Sequence, residues 1–317
     1  IFTALHESIE ILAIIPLYGN QTLEKTYNNT LRLMTLLGDK YAKIPVVAGS
    51  AKPLCASKPL ICPEIHGESG LETHSQSGVQ LPPACSKQTT SLNPYVLMND
   101  LISQHSSSSE PQVRLVCTGA LTDAAILVSA FPSCVEKLHS IVIMGGSEGI
   151  GNISPAAEFN ILQDPEAAKI VFEQAVNTYK KYLVMIPLEV SHTVLVDDKV
   201  LASIKQTLNN SKFAQLIENL LLFFQKTYKE VFQFEHPPLH DPLTLAYIID
   251  PELFQMELMR VDIDTSQGVS RGSTVCDIFQ MEKKKEKNVL LAKKVNVEKF
   301  WALINHCLII ANQHATI

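Results

Sequence analysis

The stretch from Gly145 to Asn160 carries the residue types best suited to holding a small polar ligand. It follows the apolar run 141–144, which predicts a buried strand. Its four glycines permit positive φ and a close approach of the backbone to a ligand. Asn152 and Asn160 supply amides that donate and accept hydrogen bonds, and Glu158 supplies a carboxylate that accepts from hydroxyl groups. This set suits a neutral ligand with several hydroxyls, and a sugar fits it better than a phosphate.

Two other interpretations of this stretch compete with a sugar-binding site. A glycine-rich segment with scattered asparagines is often only a surface turn. A dinucleotide-binding loop is disfavoured, because the glycines follow the order Gly146-x-x-Gly149-x-Gly151 and Pro155 interrupts any immediate helix.

The rest of the chain alternates between short apolar runs and segments with helical periodicity. We predict strands at 9–18, 44–48, 113–117, 141–144, 182–188, 258–263, 273–279 and 289–292. We predict helices at 22–37, 94–105, 122–130, 165–175, 197–233 and 242–249, with a last helix capped by Asn296. The alternation predicts an α/β fold, a mostly parallel open sheet with helices on both faces, and a single domain over residues 1–317.

Polar clusters follow several of the predicted strands. Gly19-Asn20, Thr118-Gly119, the glycine-rich loop and Ser191-His192 all lie at carboxyl ends of strands. Open α/β sheets bind ligands beyond this edge. We therefore expect these clusters to meet in one site.

Composition narrows the possible partners. The net charge is −6 with no basic stripe, which disfavours nucleic acid, and no apolar run approaches the ~20 residues of a membrane span. The seven cysteines form no C-x-x-C pair, as expected of reduced thiols in a cytoplasmic protein.

These residues resemble the inosine-uridine preferring nucleoside hydrolases, which split a nucleoside into base and ribose. The most specific segment is Asn152-x-x-Pro155-x-Ala157-Glu158-Phe159-Asn160-x-x-x-Asp164-Pro165-Glu166. Similar stretches occur in family order at 13–20 with 26–37, 64–71, 116–125, 140–168, 238–246 and 251–277. The late region is most similar to eukaryotic uridine-preferring members.

The resemblance implies roles for individual residues. A Ca²⁺ ion would hold the ribose hydroxyls and a nucleophilic water, with Asp241 and the main-chain carbonyl of Thr118 among its ligands. Asn152, Glu158 and Asn160 match ribose-binding residues, and Asn20 matches a further site asparagine. His240 matches the general acid for the leaving base, and His66 matches a histidine on the base side.

The implied chemistry suits these residue types. Cleaving the N-glycosidic bond builds positive charge on the ribose, which carboxylates stabilise, and a cation with oxygen ligands lowers the pKa of its bound water. The departing base gains negative charge, and a histidine can supply a proton near neutral pH. Asp241 followed by Pro242 has a competing interpretation as a simple helix N-cap.

The chain departs from the family pattern at its start. The Asp-x-Asp-x-x-x-Asp-Asp cluster that supplies most metal ligands in the family is absent, and residues 1–5 match later turns of the helix that follows it. We therefore expect the first strand and the aspartate-rich loop to be missing, either because the sequence is incomplete or because this is a variant without a metal site.

The resulting expectation is an N-ribosyl hydrolase that prefers uridine, uses Ca²⁺ and forms a homodimer or homotetramer. The alternative is a catalytically silent protein that binds nucleosides or ribose without the metal. A third alternative is a hydrolase for purine nucleosides or nicotinamide riboside.

Overall fold

A five-stranded sheet forms the centre of the molecule. The structure is a computed structural model that describes residues 1–73, 79–84, 92–107, 109–110, 112–177 and 183–317. The sheet has the strand order β1-β2-β3-β7-β4, and β5 and β6 form a separate antiparallel ribbon. The strands are β1 (Val113–Cys117), β2 (Leu138–Met144), β3 (Leu183–Ile186), β4 (Phe254–Met259), β5 (Val261–Ile263), β6 (Thr274–Cys276) and β7 (Val289–Val295).

The sheet is mostly parallel, as predicted. The pairs β1/β2, β2/β3 and β3/β7 are parallel, and only β4 runs antiparallel to its neighbour β7. Side chains of the central strands alternate between two apolar layers. Val142 and Val184 contribute to one layer, while Ile141 and Met185 contribute to the other. This burial on both faces explains why these strands read as continuous apolar runs.

Twelve α-helices in the described residues cover the sheet and frame its edge. Their bounds are α1 (Leu23–Leu36), α2 (Pro63–His66), α3 (Pro94–His105), α4 (Thr122–Ala130), α5 (Pro132–Lys137), α6 (Phe159–Gln163), α7 (Pro165–Asn177), α8 (Leu188–Ser191), α9 (Asp198–Thr207), α10 (Lys212–Phe232), α11 (Pro242–Ile249) and α12 (Val297–His314). Asn296 caps α12 by accepting a hydrogen bond from the backbone N–H of Lys299, as expected. No helix in these ranges is both long and apolar enough to cross a bilayer.

The two predicted N-terminal strands are wrong in extent. Residues 9–18 and 44–48 run side by side, but they form only one isolated parallel bridge, between Ile14 and Val46. Backbone bonds of a short ladder are present, such as Val47 N–H to the Ile14 carbonyl at 3.1 Å. Pro16 and Pro45 lack the N–H groups that would continue it.

The predicted helix over 197–233 is two helices. Asn209 and Asn210, between α9 and α10, take left-handed φ values of 51° and 50°. Asparagine tolerates this conformation better than most residues, and a right-handed helix cannot contain it. The Ser211 side chain then caps α10 by accepting from the N–H of Ala214.

Two parts of the predictions touch residues outside the described ranges. The strand expected at 182–188 begins at residue 182, which lies outside them, and the observed strand covers Leu183–Ile186. Six of the seven cysteines are described, and all six are free thiols; Cys85 lies outside the described residues.

Candidate active site

One cavity of about 240 Å³ opens at the carboxyl ends of β1 and β2. Thr118 directly follows β1, and Met144 ends β2. The structure brings all eight residues singled out in the sequence to this cavity: Asn20, His66, Thr118, Asn152, Glu158, Asn160, His240 and Asp241. They come from five separate places in the chain, so three of the four expected clusters meet at this cavity. Ser191 and His192 do not line it, and Ser191 instead contacts His240. The role of each residue stays a prediction.

Glu158 organises the floor of the cavity. Its side chain is 3% exposed and caps α6. One carboxylate oxygen accepts from the N–H of Asn160 at 2.9 Å, and the other accepts from Gly146 at 2.9 Å and Ile161 at 3.1 Å. Burial nevertheless raises the pKa of Glu158 to about 7, because these three hydrogen bonds only partly offset the loss of water. A carboxylate has about four lone-pair positions, so one remains for a ligand hydroxyl.

The turn that Glu158 holds depends on glycine. Gly146 has φ of +74°, and a Cβ atom there would lie 2.6 Å from Cε of Met185 and 2.8 Å from Cγ2 of Thr274. The Thr274 hydroxyl also binds the loop, since it donates to the Ser147 carbonyl at 2.6 Å. The glycine-rich loop is therefore a packed turn with a fixed course past the cavity.

The two asparagines are oriented by the backbone. Oδ1 of Asn152 accepts from the N–H of Phe159 at 2.9 Å, which leaves its NH₂ group as the donor for a ligand. Nδ2 of Asn160 donates to the Met144 carbonyl at 3.0 Å, which leaves its carbonyl oxygen as the acceptor. The floor thus offers a donor, an acceptor and a carboxylate, which is the combination needed to bind a pair of hydroxyls.

His240 sits between two hydroxyl groups. Nδ1 lies 2.8 Å from Oγ of Ser191, and Nε2 lies 2.8 Å from the phenolic oxygen of Tyr228. Burial, with smaller contributions from His192 and His66, lowers the pKa of His240 to about 3. The imidazole is therefore neutral at pH 7. The resemblance implies that His240 is the general acid for the leaving base, and Tyr228 occupies its Nε2.

Tyr228 belongs to an aromatic wall that sequence reasoning missed. Tyr228 packs against Phe224 and Phe232 at ring-centroid distances of 4.5 and 5.0 Å. His66 stacks on Phe224 at 5.9 Å with an interplanar angle of 26°. Burial lowers the pKa of His66 to about 4, so this ring is also neutral. A neutral aromatic wall opposite a polar floor suits a ligand with a flat base and a sugar.

Asp241 holds the N-cap position of α11, yet its side chain makes no capping hydrogen bond. The interpretation as a simple helix cap is therefore wrong for Asp241. It holds for Asp250, whose carboxylate accepts from the N–H of Glu252. Asp164 caps its helix through the N–H of Ala167 and also accepts from the Leu54 N–H and the Thr122 hydroxyl. Asp241 faces the open cavity, while surrounding protein atoms raise its pKa to about 6 by desolvation. Its carboxylate is available to a ligand or a cation.

The described residues fall short of a calcium site. Ca²⁺ takes six to eight oxygen ligands. Of the three acidic residues that line the cavity, Glu158 is engaged by three N–H groups, and Glu64 lies on the base side beside Cys62. Asp241 and the backbone of Thr118 remain, and among the described parts of the chain no group of three or more potential ligand side chains surrounds them. These residues alone do not fit the ion.

Comparison with known proteins identifies the class. A sequence profile of the family described as inosine-uridine preferring nucleoside hydrolase matches residues 1–302. A probable ribonucleoside hydrolase of Dictyostelium discoideum is 42% identical, with 95% of this chain and 87% of that protein aligned. A pyrimidine-specific ribonucleoside hydrolase of Shewanella oneidensis is 36% identical, with 96% of this chain and 89% of that protein aligned.

Solved structures agree on the fold. A purine-preferring ribonucleoside hydrolase from Gardnerella vaginalis superposes with a TM-score of 0.84 at 24% identity, covering 98% of this chain and 94% of that one. A plant nucleoside hydrolase gives a TM-score of 0.83 at 24% identity, covering 97% and 93%. At this identity the solved structures confirm the fold, while the family profile and the ribonucleoside hydrolase relatives define the class as N-glycosyl hydrolases acting on nucleosides.

This chain belongs to the inosine-uridine preferring nucleoside hydrolase family. The family recognised from residues 152–166 is confirmed, as is the mixed α/β fold. Nucleoside hydrolases are generally metal-dependent enzymes that act on small-molecule nucleosides.

Proposed function

We propose that this protein hydrolyses the N-glycosidic bond of pyrimidine ribonucleosides, with uridine as the preferred substrate. The observation that carries the proposal is the division of the cavity into a polar floor and an aromatic wall. The similarity to pyrimidine-specific relatives supports the choice of base. A purine nucleoside such as inosine is the competing substrate.

The ribose would lie on the polar floor. The free lone pair of Glu158 accepts from one hydroxyl, while Asn152 donates to and Asn160 accepts from the neighbouring groups. Asn20 lines the same cavity from the other side. The negative charge of the Glu158 and Asp241 carboxylates also stabilises the positive charge that develops on the sugar.

The base would lie against the aromatic wall, between His66 with Phe224 and the His240–Tyr228 pair. When Nε2 of His240 carries its proton, it donates to the Tyr228 oxygen and leaves the Tyr228 O–H free to donate to the base. Because burial lowers the pKa of His240 to about 3, a protonated His240 is rare at pH 7. We propose that the pair stabilises the negative charge of the leaving base by this relayed hydrogen bond, in place of the proton transfer expected of His240. The proton that the base finally gains comes from the water whose oxygen adds to the ribose.

Because the described residues alone do not complete a shell of six to eight oxygens, we propose Ca²⁺ only together with further oxygen ligands beside the Asp241 carboxylate, the Thr118 carbonyl and the ribose hydroxyls. When bound, such an ion lowers the pKa of a coordinated water. We further propose a cytoplasmic homo-oligomer. The six described thiols are free, as is usual in a reducing compartment.

The test is release of reducing sugar from uridine, cytidine and inosine, each with and without a chelator. Both His240→Ala and Tyr228→Phe should lower kcat by ~10²-fold or more and change KM for uridine little. Phe223→Leu, a change on the same helix that does not touch the cavity lining, is the matched control. An unchanged kcat in both variants would remove the pair from the mechanism.

The competing function is nucleoside binding without turnover. It is favoured by the small number of free carboxylates in the described cavity. Calorimetry with uridine distinguishes the two functions, since a silent binding protein would show saturable binding with no release of ribose, whatever metal is added.

A further inference from the structure

A second group of metal-ligating side chains lies where the beginning of the chain meets its last helix. Nε2 of His306, on α12, lies 3.0 Å from a carboxylate oxygen of Glu7, and Nε2 of His6 lies 3.8 Å from the same oxygen. The ligand atoms of the three residues all lie within 4.8 Å of one another. Among the described residues, this is the one such group of three or more His, Cys, Asp or Glu side chains, and none of its members lines the cavity.

The backbone that carries this group is held in place by buried contacts. The short 3₁₀ helix Phe2–Leu5 packs on α12, where the Cys307 thiol donates to the Thr3 carbonyl at 3.7 Å. Leu5 and Cys307 are buried beneath it. His6 follows this helix directly, and His306 precedes Cys307. The three ligands are therefore presented by fixed backbone, so small side-chain rotations suffice to bring them onto one ion.

We propose that His6, Glu7 and His306 bind a divalent transition-metal ion, with Zn²⁺ as the representative case. Two imidazoles and one carboxylate are a common protein donor set for zinc. Bonds of 2.0–2.1 Å in a tetrahedral site place ligand atoms about 3.3 Å apart, and the observed 3.0 and 3.8 Å lie on either side of that value. Glu7 and His306 are 67% and 50% exposed, so water can fill the fourth position.

Zinc binding would require His6 to carry its ring proton on Nδ1. A ligating Nε2 needs its lone pair, so the ring proton must move to Nδ1. Oγ of Ser8 lies 2.8 Å from Nδ1 and can accept that proton. The N–H of Ser8 also lies 3.2 Å from Nδ1, which favours the opposite tautomer before the ion arrives. In the bound state the ion would also take the place of the proton in the hydrogen bond between Nε2 of His306 and the Glu7 carboxylate.

The site would differ in kind from the calcium site proposed for the cavity. Imidazole nitrogens favour zinc, whereas Ca²⁺ prefers oxygen ligands. Binding would join the first residues of the chain to α12 and stabilise the folded state through linkage.

The experiment is isothermal titration of the full chain with ZnCl₂, in an Asp241→Asn background that removes the carboxylate facing the cavity. We expect one zinc ion per chain, no competition from millimolar CaCl₂, and a rise in the midpoint of thermal unfolding. The variants His6→Gln, Glu7→Gln and His306→Gln should each weaken zinc binding by ~10-fold or more, since even loss of an outer-shell partner costs 10–100-fold. His105→Gln, an exposed histidine on α3, is the matched control and should leave zinc affinity unchanged.

Two results would overturn the proposal. One is the absence of saturable zinc binding by the folded chain. The other is binding that survives in all three ligand variants, which would place the ion elsewhere. Because none of the three residues lines the cavity, either failure would leave the proposed hydrolase function untouched.

Discussion

Replacing Glu158 with glutamine should remove the loss of folding stability that the natural chain undergoes between about pH 4.5 and about pH 7. The carboxyl group is 3% exposed, and burial raises its pKa from 4.5 to about 7. Between these two pH values the folded chain keeps a proton that the unfolded chain releases. The free energy of unfolding of the natural chain therefore falls as pH rises through this window, and the deficit persists above pH 7. A shift of this size corresponds to about 3 kcal/mol.

Glutamine does not ionise, so the free energy of unfolding of the variant lacks the fall that ionisation of Glu158 causes in the natural chain. Urea unfolding of both proteins at several pH values between about 4 and 9 measures the difference. The glutamine Nε2 cannot accept from a backbone N–H, so the variant loses about 1–3 kcal/mol at every pH for the hydrogen bond it cannot make. Relative to its stability near pH 4, the variant should gain up to about 3 kcal/mol on the natural chain at the alkaline end. Glu230→Gln, at a side chain that is 62% exposed on α10, controls for the loss of a carboxylate as such.

The opposite slope would refute the reasoning. If the natural chain gains stability over the variant as pH rises, the three backbone N–H bonds outweigh desolvation, and the pKa of Glu158 lies below its ordinary value. The predicted fall in stability with rising pH also bears on function. A buried carboxylate that lowers stability is expected where it binds a ligand, so the glutamine variant should bind ribose less tightly.

Two further changes test the site. Gly146→Ala should lower the free energy of unfolding by ~2–4 kcal/mol in urea titrations, because it combines positive φ with contacts of 2.6 and 2.8 Å to Met185 and Thr274. Gly149→Ala, where an added Cβ meets open space, should cost under ~1 kcal/mol, and equal losses would contradict the packing argument. The 317-residue chain should bind Ca²⁺ with a Kd of ~10⁻⁴ M or weaker in calorimetry. Among the described residues that line the cavity, Glu158 accepts from backbone N–H groups and Glu64 from the Cys62 thiol, which leaves Asp241 as the one carboxylate available to the ion. Micromolar affinity would show that further ligands exist.

The sequence predicted helices well where local signals agree. The bounds 94–105 and 122–130 are those observed, because periodicity and the flanking residues mark the same ends. The prediction of two N-terminal strands was wrong in extent, because the apolar composition of 9–18 does not indicate which backbone groups find hydrogen-bond partners. Pro16 and Pro45 were the available signal that a regular ladder would not form there.

The cavity was predictable in part, because polar residues at strand ends converge in parallel sheets. Sequence alone could not show that Glu158 and the two asparagines are already engaged by the backbone. That engagement decides which lone pairs and N–H groups remain for a ligand, while burial of the carboxyl group raises the pKa of Glu158. Such details depend on tertiary packing, which is absent from local patterns.

The aromatic residues of α10 show how one helix can serve two purposes. The sequence predicts that one side of this helix packs in the core, through Phe213, Leu216, Leu220, Phe223 and Phe224. Phe213 and Leu216 are fully buried, but Phe224 lines the cavity. Phe224, Tyr228 and Phe232 continue the same i, i+4 spacing, but α10 runs past the edge of the core and turns them toward the cavity. The periodicity is identical in both halves, so only the position of the sheet edge along the helix separates packing residues from base-facing ones. The one sequence signal at Tyr228 is its hydroxyl, which packing in an apolar stripe does not require. In the structure this hydroxyl lies 2.8 Å from Nε2 of His240.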